Sequence, residues 1–378
     1  MHYPRSPLSA ALLGLAAITR ASPTRTRDVA GTCAGVNGTF NIDNYKLYPE
    51  NLDWDPINCK LYISANFNAS VLVYDPYTAT YDILSFDGIT DLDPYHISGI
   101  DYDASTKSIM ISANSGDPFV TSGANMTGAN KVIRYDTTTN SVAYTADLAD
   151  FTSQLQLGNQ TGGGYQDFAE DTDGNAYVPA VFHVPGIAKI TKDGEVSSWY
   201  VGEPSTSSKY IYLGVVHHEA TNKLLVTAPY LGTFVSFDVG SSSPAPTNIT
   251  MTGWPADGSY SPSDLECDGL LNPARYNRDV LLCSENGLQA VTLWASQDGF
   301  ETAEYIGQVA DNSTTDIATY GSPTATVQVE NSIYFSHEYF HDLGLFDVAG
   351  NRSTFPFVDA TAQFDELVQA AGYTITEC

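Results

Sequence analysis

Three short segments carry residue types with catalytic potential. His337-Glu338-Tyr339-Phe340-His341 has the His-Glu-x-x-His spacing of zinc peptidases. That chemistry needs a helix, because only helical i, i+4 geometry brings two imidazoles to one metal. The motif lies between SIYF and LGLFDV, both strand-like, and an extended chain would hold the two rings about 13 Å apart. Gly162-Gly163-Gly164 before Tyr165 has the look of a phosphate cradle, yet no Lys-Ser pair follows, so it reads as a turn. His217-His218-Glu219 reads as a solvated turn.

The elements that would position any of these side chains come from a repeat. Six units begin at Lys60, Lys107, Asn175, Asn222, Asp279 and Asn331, a spacing of about fifty residues that suits propeller architectures. Each has a β-rich run, a short turn and a second β-rich run closing on an aromatic-Asp or Asp-Gly turn. A further strand precedes each unit: ENLDWD, HISGIDYD, YQDFAED, YIYLGVVHH, SPSDLECDG and SPTATVQV. Four short strands per unit, A to D, repeated six times predict an all-β fold, a six-bladed β-propeller over residues 48–378. Two stacked sandwiches would not produce one repeated unit. Residues 22–47 are expected to contribute to blade closure, Ser241 to Pro246 to loop between two blades, and Ala362 to Ala371 to form the one helix.

In such a propeller the D-to-A and B-to-C connections open on one face around the central channel. That face collects Glu50, Asn51, His96, Tyr165, Gln166, Tyr212 and Asp264 from the A-strand starts. The B–C turns add Phe67, Asn114, Phe182, His183, Tyr230, Glu285, His337 and Tyr339. An aromatic-rich funnel with scattered polar groups suits a small, largely apolar ligand. His96, His183 and Tyr165 are the expected hydrogen-bond donors to a reacting group, and the others are expected to bind substrate.

Composition bounds the partners. With 44 Asp or Glu against 16 Lys or Arg the net charge is −28, which disfavours nucleic acid and anionic membrane surfaces. The 24 Tyr and 16 Phe mark a folded chain, since disordered acidic segments are poor in aromatics. Many of the acids lie in Asp-Pro, Asp-Gly and Tyr-Asp turns, and few are expected in the funnel. Residues 1–21 combine Arg5, an apolar run from Leu8 to Ile18 and a small residue at the exit, the pattern of a signal peptide. Seven Asn-x-Ser/Thr sequons, at Asn37, Asn68, Asn125, Asn159, Asn248, Asn312 and Asn351, agree with passage through the secretory pathway to a secreted or vesicle-lumen destination. Of the five cysteines, Cys267 and Cys283 flank one turn and form the best disulfide pair; Cys33 and Cys378 are placed to clasp the ends, leaving Cys59 free. A monomer is expected.

Two resemblances add to this reading. Glu50-Asn51-Leu52-Asp53-Trp54 is similar to the E-x-x-x-W segment of the calcium-binding lactonase and gluconolactonase propellers, where the Glu is a metal ligand. Those enzymes add an Asn, whose position here falls on Leu213, and an Asp, for which Asp264 stands only with a shift of register. No metal is therefore expected, with Glu50 and Asp264 as its ligands if one is bound.

More broadly, LYPENLDWDPINCKLYISANFNASVLVYDPY, YHISGIDYD and GGGYQDFAEDTDGNAYV resemble a family of secreted fungal propellers encoded in natural-product clusters. It includes the hetero-Diels–Alderases of tropolone–sesquiterpene meroterpenoid pathways and is related to trichothecene cluster protein fourteen. The resemblance implies a cofactor-free cycloaddition between a tropolone ortho-quinone methide and a humulene-type alkene, in which the protein holds two apolar partners, excludes water and hydrogen-bonds the developing oxyanion. A metal-dependent lactonase-like hydrolase and a non-enzymatic binding protein of the trichothecene type are the alternatives.

Overall fold

The computed structural model describes residues 33–342 and 350–377; the signal-peptide segment and Cys378 lie outside them. Six antiparallel sheets form a six-bladed β-propeller. Blades 1 to 4 are four-stranded, with A strands Pro49–Asp55, Tyr95–Asp103, Ala169–Glu170 and Val215–His218. Blade 5 starts at Cys267–Leu271 and gains a fifth strand, because Thr250–Thr252 pairs in parallel with its outer strand Thr302–Val309. Blade 6 is built from Ser322–Val329, Ser332–Glu338 and Thr354–Asp359, and its outer strand is Phe40–Asp43 from the N-terminal segment.

The strand patterning explains why the blades stack. Side chains alternate between faces, so each inner or middle strand serves two neighbouring blades. Ile109 and Ile111 join the cluster shared with blade 1, whereas Met110 joins the one shared with blade 3. Each of the six blade seams holds one hydrophobic cluster. Burial on both faces demands continuous apolar runs in the B and C strands, as the sequence shows. The D strand Thr80–Leu84 is mostly exposed and leaves Tyr81 and Ile83 at the surface.

The A strands pack against one another around the channel. In blades 1, 2, 5 and 6 each carries a bulge, at residues 50–51, 98–99, 268–269 and 324–325. Small residues there allow close approach: a Cβ on Gly99 would stand 2.5 Å from the Gln166 carbonyl, and one on Gly269 would stand 2.5 Å from that of Thr324. A bulge re-aims the side chains around it, which makes it a site-building device.

Several expectations are corrected. Cys267 pairs with Cys283, but Cys33 pairs with Cys59, not with Cys378. The bond ties the N-terminal segment to the A–B turn of blade 1 just before that segment closes blade 6. Ser241 to Pro246 lies inside blade 4, between its third strand Thr233–Asp238 and its outer strand Thr247–Asn248. His218 is buried against Phe300, with Nδ1 2.7 Å from the Thr221 hydroxyl, and burial lowers its pKa to about 4. Besides the helix at Thr361–Ala370, short helices occur at Asp117–Val120, Ala149–Gln154 and Thr315–Tyr320. His337 and Glu338 end a strand and Phe340–Asp342 is a 3-10 turn, so the His-Glu-x-x-His segment lacks the α-helix that zinc chemistry needs.

Candidate functional site at the channel mouth

Two rings of side chains build the mouth. The lower comes from the A-strand bulges: Glu50, Ser98 and Asp268, Thr324 in the bulged blades, with Asp167 and Leu213 at the matching points of blades 3 and 4. Carboxyls thus alternate with other residues around the channel, from blades 1, 3 and 5. The upper ring follows a hidden repeat at the end of each B strand: Ser64-Ala65-Asn66, Ser112-Ala113-Asn114, Pro179-Ala180-Val181, Thr227-Ala228-Pro229, Ser284-Glu285-Asn286 and Ser336-His337-Glu338. The third member faces the mouth. The first sits opposite the bulge, and in blade 1 the Ser64 hydroxyl accepts the amides of Glu50 and Asn51 at 3.1 and 2.7 Å.

These rings divide the mouth in two. Blades 5, 6, 1 and 2 give a polar crescent. There Asn66 Nδ2 donates to Glu338 at 3.2 Å, Asn286 Nδ2 to Asp268 at 2.8 Å, and the Ser98 hydroxyl to Asn114 Oδ1 at 2.6 Å. Gln166 of blade 3 also donates to Asp268. Blades 3 and 4 give an apolar crescent. Leu213, Val181 and Phe182 pack with Phe119, Met126 and Tyr210 in a cluster separate from the six seams. Phe182 meets Phe119 and Tyr210 edge-on at 5.4 and 5.5 Å.

Electrostatics set the protonation of the carboxyls. Burial pushes the Glu50 pKa well above the usual carboxylate range, and the nearby Asp268, Glu338 and Asp167 push it further. Burial likewise raises Glu338 well above that range, Asp167 to about 7 and Asp268 to about 6. Asp167 keeps its lower value because Oδ2 accepts the Val215 amide at 3.0 Å. Glu50 Oε2 is buried with no hydrogen-bond partner. Farther down the same strands Asp53, Asp101 and Glu170 hydrogen-bond in a chain; burial and mutual repulsion raise all three, Glu170 to about 8. The channel is therefore rich in carboxyls, which corrects the expectation that few acids lie there. Each stands alone in its strand, and only the blade repeat brings them together.

The structure gathers Glu50, Asn66, Phe67, His96, Asn114, Gln166 and Phe182 at the mouth. The His96 ring meets Phe67 edge-on at 5.1 Å. His183 sits on the rim with Nε2 2.9 Å from the Gly123 carbonyl. Asn51 is half-buried and its Oδ1 accepts the Leu52 amide. The others lie elsewhere. Tyr165 is fully buried in the seam of blades 2 and 3, its hydroxyl 2.8 Å from that of Thr152. Tyr212 is buried between blades 3 and 4, with Tyr230 packed beside it. Glu285 is turned into the seam of blades 4 and 5, where it accepts from the Tyr260 hydroxyl and the Glu266 amide, and burial raises it to about 8. His337 is buried beside Phe335 and lowered to about 4. Tyr339 is a core residue capped by the Arg352 guanidinium 3.5 Å above its ring.

The calcium set does not fit. Asp264 is exposed and accepts from the Ser261 hydroxyl, and Leu213 puts a hydrocarbon where an oxygen ligand would stand. Among the described residues no group of three His, Cys, Asp or Glu side chains is placed to hold a metal ion. Asp167 and Asp268 are the functional residues that sequence reasoning missed. A surface cleft of about 550 Å³ lies between Asn37–Thr39 and the C-terminal helix, and none of the mouth residues lines it.

Fold and mouth together define a six-bladed propeller with a carboxyl-ringed, half-apolar channel mouth. Residues 29–262 match the family described as Mal s 1 allergenic protein-like, and the chain belongs to that family. It is 30% identical over 349 residues to trichothecene biosynthesis protein 14 of Trichoderma arundinaceum, covering 88% of this chain and 90% of that one. The core trichothecene cluster protein 14 of Fusarium sporotrichioides is 29% identical over 377 residues, with 94% of each chain covered. The crystal structure of the Malassezia sympodialis allergen Mala s 1 has the same fold, with a TM-score of 0.72, 18% identity, and coverage of 86% of this chain and 96% of that one.

Proposed function

We propose that this chain is a cofactor-independent pericyclase of secondary metabolism, joining a tropolone ortho-quinone methide to a humulene-type sesquiterpene at the channel mouth. One observation carries the reading: Glu50, kept neutral by burial and by its acidic neighbours, has a free oxygen opposite an apolar wall. A neutral carboxyl donates a hydrogen bond, and aimed at the ketone oxygen of a quinone methide it stabilises the negative charge that grows there. The apolar crescent of Leu213 and Phe182 holds the hydrocarbon and excludes water that would quench the electrophile. Loss of water from a hydroxymethyl tropolone gives the four-atom component, and the alkene closes on it by forming one C–C and one C–O bond. No proton or hydride moves in that closure, so no cofactor is called for.

The two disulfides suit an oxidising compartment. Passage through the secretory pathway, glycosylation and monomeric state remain parts of this proposal. Asn37, Asn159, Asn248, Asn312 and Asn351 are exposed, while Asn68 and Asn125 are half-buried with their amide nitrogens bonded to Lys46 and Asp117.

The test is incubation of purified protein with the hydroxymethyl tropolone and the alkene. A faster rate and a single stereoisomer support the proposal; the rate and isomer mixture of the blank overturn it. Affinity without turnover would mark a binding protein, and activity abolished by chelator would mark a lactonase-like hydrolase.

A further inference from the structure

The polar crescent has an imbalance of donors and acceptors. Asn66 spends its amide nitrogen on Glu338, at 3.2 Å to Oε1 and 3.5 Å to Oε2. Asn286 spends its nitrogen on Asp268 at 2.8 Å, and Gln166 gives its own to the same carboxylate. These contacts fix the orientation of both asparagine amides, because a carboxylate offers acceptors to an N–H. What is left over is two amide oxygens. Asn66 Oδ1 and Asn286 Oδ1 are buried and accept no hydrogen bond. Asn66 is itself only 8% exposed. Buried amide oxygens without a partner are uncommon and costly, at about 1–3 kcal/mol each. The two flank Glu338 in the upper ring, and in the blade order Asn66 of blade 1 stands opposite Leu213 of blade 4, while Asn286 of blade 5 adjoins it.

We propose that Asn66 and Asn286 recognise a hydroxyl on the hydrocarbon partner, whose O–H donates to one of the two amide oxygens. This inference rests on the reading of the mouth as a terpene site. It assigns the polar crescent to a donor and the apolar crescent to the hydrocarbon body, which fixes how the ligand lies in the mouth. A site built to satisfy a substrate O–H rejects an analogue that lacks it, because the protein oxygen then stays unpaired. The discrimination therefore acts on the hydrogen, not on the oxygen or on the bulk of the ligand.

Calorimetric titration of the intact mature chain with three probes separates these ideas: α-humulene, its allylic alcohol humulenol, and the methyl ether of that alcohol. The alcohol is expected to bind at least tenfold tighter than the hydrocarbon, and the ether no tighter than the hydrocarbon. Asn286→Leu is expected to shrink the ratio of alcohol to hydrocarbon affinity, which is the quantity read for this variant. Equal affinity for alcohol and hydrocarbon, or an ether as tight as the alcohol, overturns the inference while leaving the terpene site standing. No affinity for any probe overturns both. The probe series needs no variant, so misfolding of Asn286→Leu would not decide the outcome.

Discussion

Asp167 Oδ2 accepts the backbone amide of Val215 at 3.0 Å, joining the inner strands of blades 3 and 4 beneath the mouth. The bond needs an acceptor, whereas the charge is a liability in a buried ring of acids. Asp167→Asn keeps an oxygen at that point and removes the charge; Asp167→Ala leaves the Val215 amide unpaired. The Ala variant is expected to lose about 1–3 kcal/mol in denaturant titration at pH 6. The Asn variant should stay within 1 kcal/mol of the parent there and exceed it at pH 8.

The wider carboxyl population predicts how stability depends on pH. A carboxyl whose pKa is higher folded than unfolded binds more protons in the native state, so stability falls as pH rises between the two values. Asp167 at about 7, Glu170 at about 8 and Glu285 at about 8 place that fall up to pH 8. His218 and His337, both lowered to about 4, act in the opposite direction, adding stability from pH 4 up to the ordinary histidine value. Above pH 6.5 only the carboxyl effect remains. Melting curves from pH 6.5 to 8 should therefore fall steadily, by roughly 1 kcal/mol or more per pH unit. A flat profile in that window would contradict the protonated channel.

Closure of the ring gives a second stability test. Phe40 stacks between Tyr74 of blade 1 and Phe357 of blade 6, at 5.2 and 5.3 Å. The Cys33–Cys59 bond, spanning 26 residues, fastens the same segment. Cys33→Ser is expected to cost about 3 kcal/mol, and Phe40→Ala about 2–3 kcal/mol because the ring is only partly buried. The two changes act on one latch, so a double variant should lose less than the sum.

How much of this was readable beforehand follows from what each signal depends on. The blades were legible because strand burial on two faces forces runs such as KLYISA and KLLVTA to recur at one period. Glu50, Phe67 and Asn114 are legible for the same reason, as they stand at fixed offsets from those runs. Asp268 was not. The bulge at 268–269 moves the channel-facing position away from the blade start, so strand alternation alone points to Asp264. Tyr165 and Tyr212 were placed in the funnel because alternation says that a side chain flips between faces, but not which face meets the seam. The Cys33–Cys59 pairing depends on the path of the N-terminal segment around the ring, which no local pattern records.

Glu50 predicts a graded mutational response. Glu50→Gln keeps a neutral donor in the same place, so the cycloaddition rate should fall less than tenfold. Glu50→Leu removes the donor and should cost about 10²-fold in kcat, with KM little changed. The parent rate should also fall as pH rises through the raised Glu50 value, because the ionised form donates nothing. A Gln variant that lost this pH dependence while retaining activity would tie the profile to Glu50 itself.

Leu213 tests the division of the mouth from its other side. It is 4% exposed and stands in the lower ring between Asp167 and Asp268, where an oxygen-bearing side chain would complete a set of metal donors. Leu213→Asn keeps the branched outline and the number of side-chain heavy atoms, so the fold should persist, as checked by an unchanged circular dichroism spectrum. It takes hydrocarbon out of the apolar crescent beside Phe182 and Val181. Hydrocarbon affinity should then fall about tenfold or more, in line with 1–3 kcal/mol for a lost apolar contact and a newly wetted amide. The same variant adds an oxygen between carboxyls that are otherwise held protonated. A calcium-dependent rise in melting temperature in Leu213→Asn, absent in the parent, would show that one hydrocarbon side chain separates a terpene pocket from a cation site on this propeller.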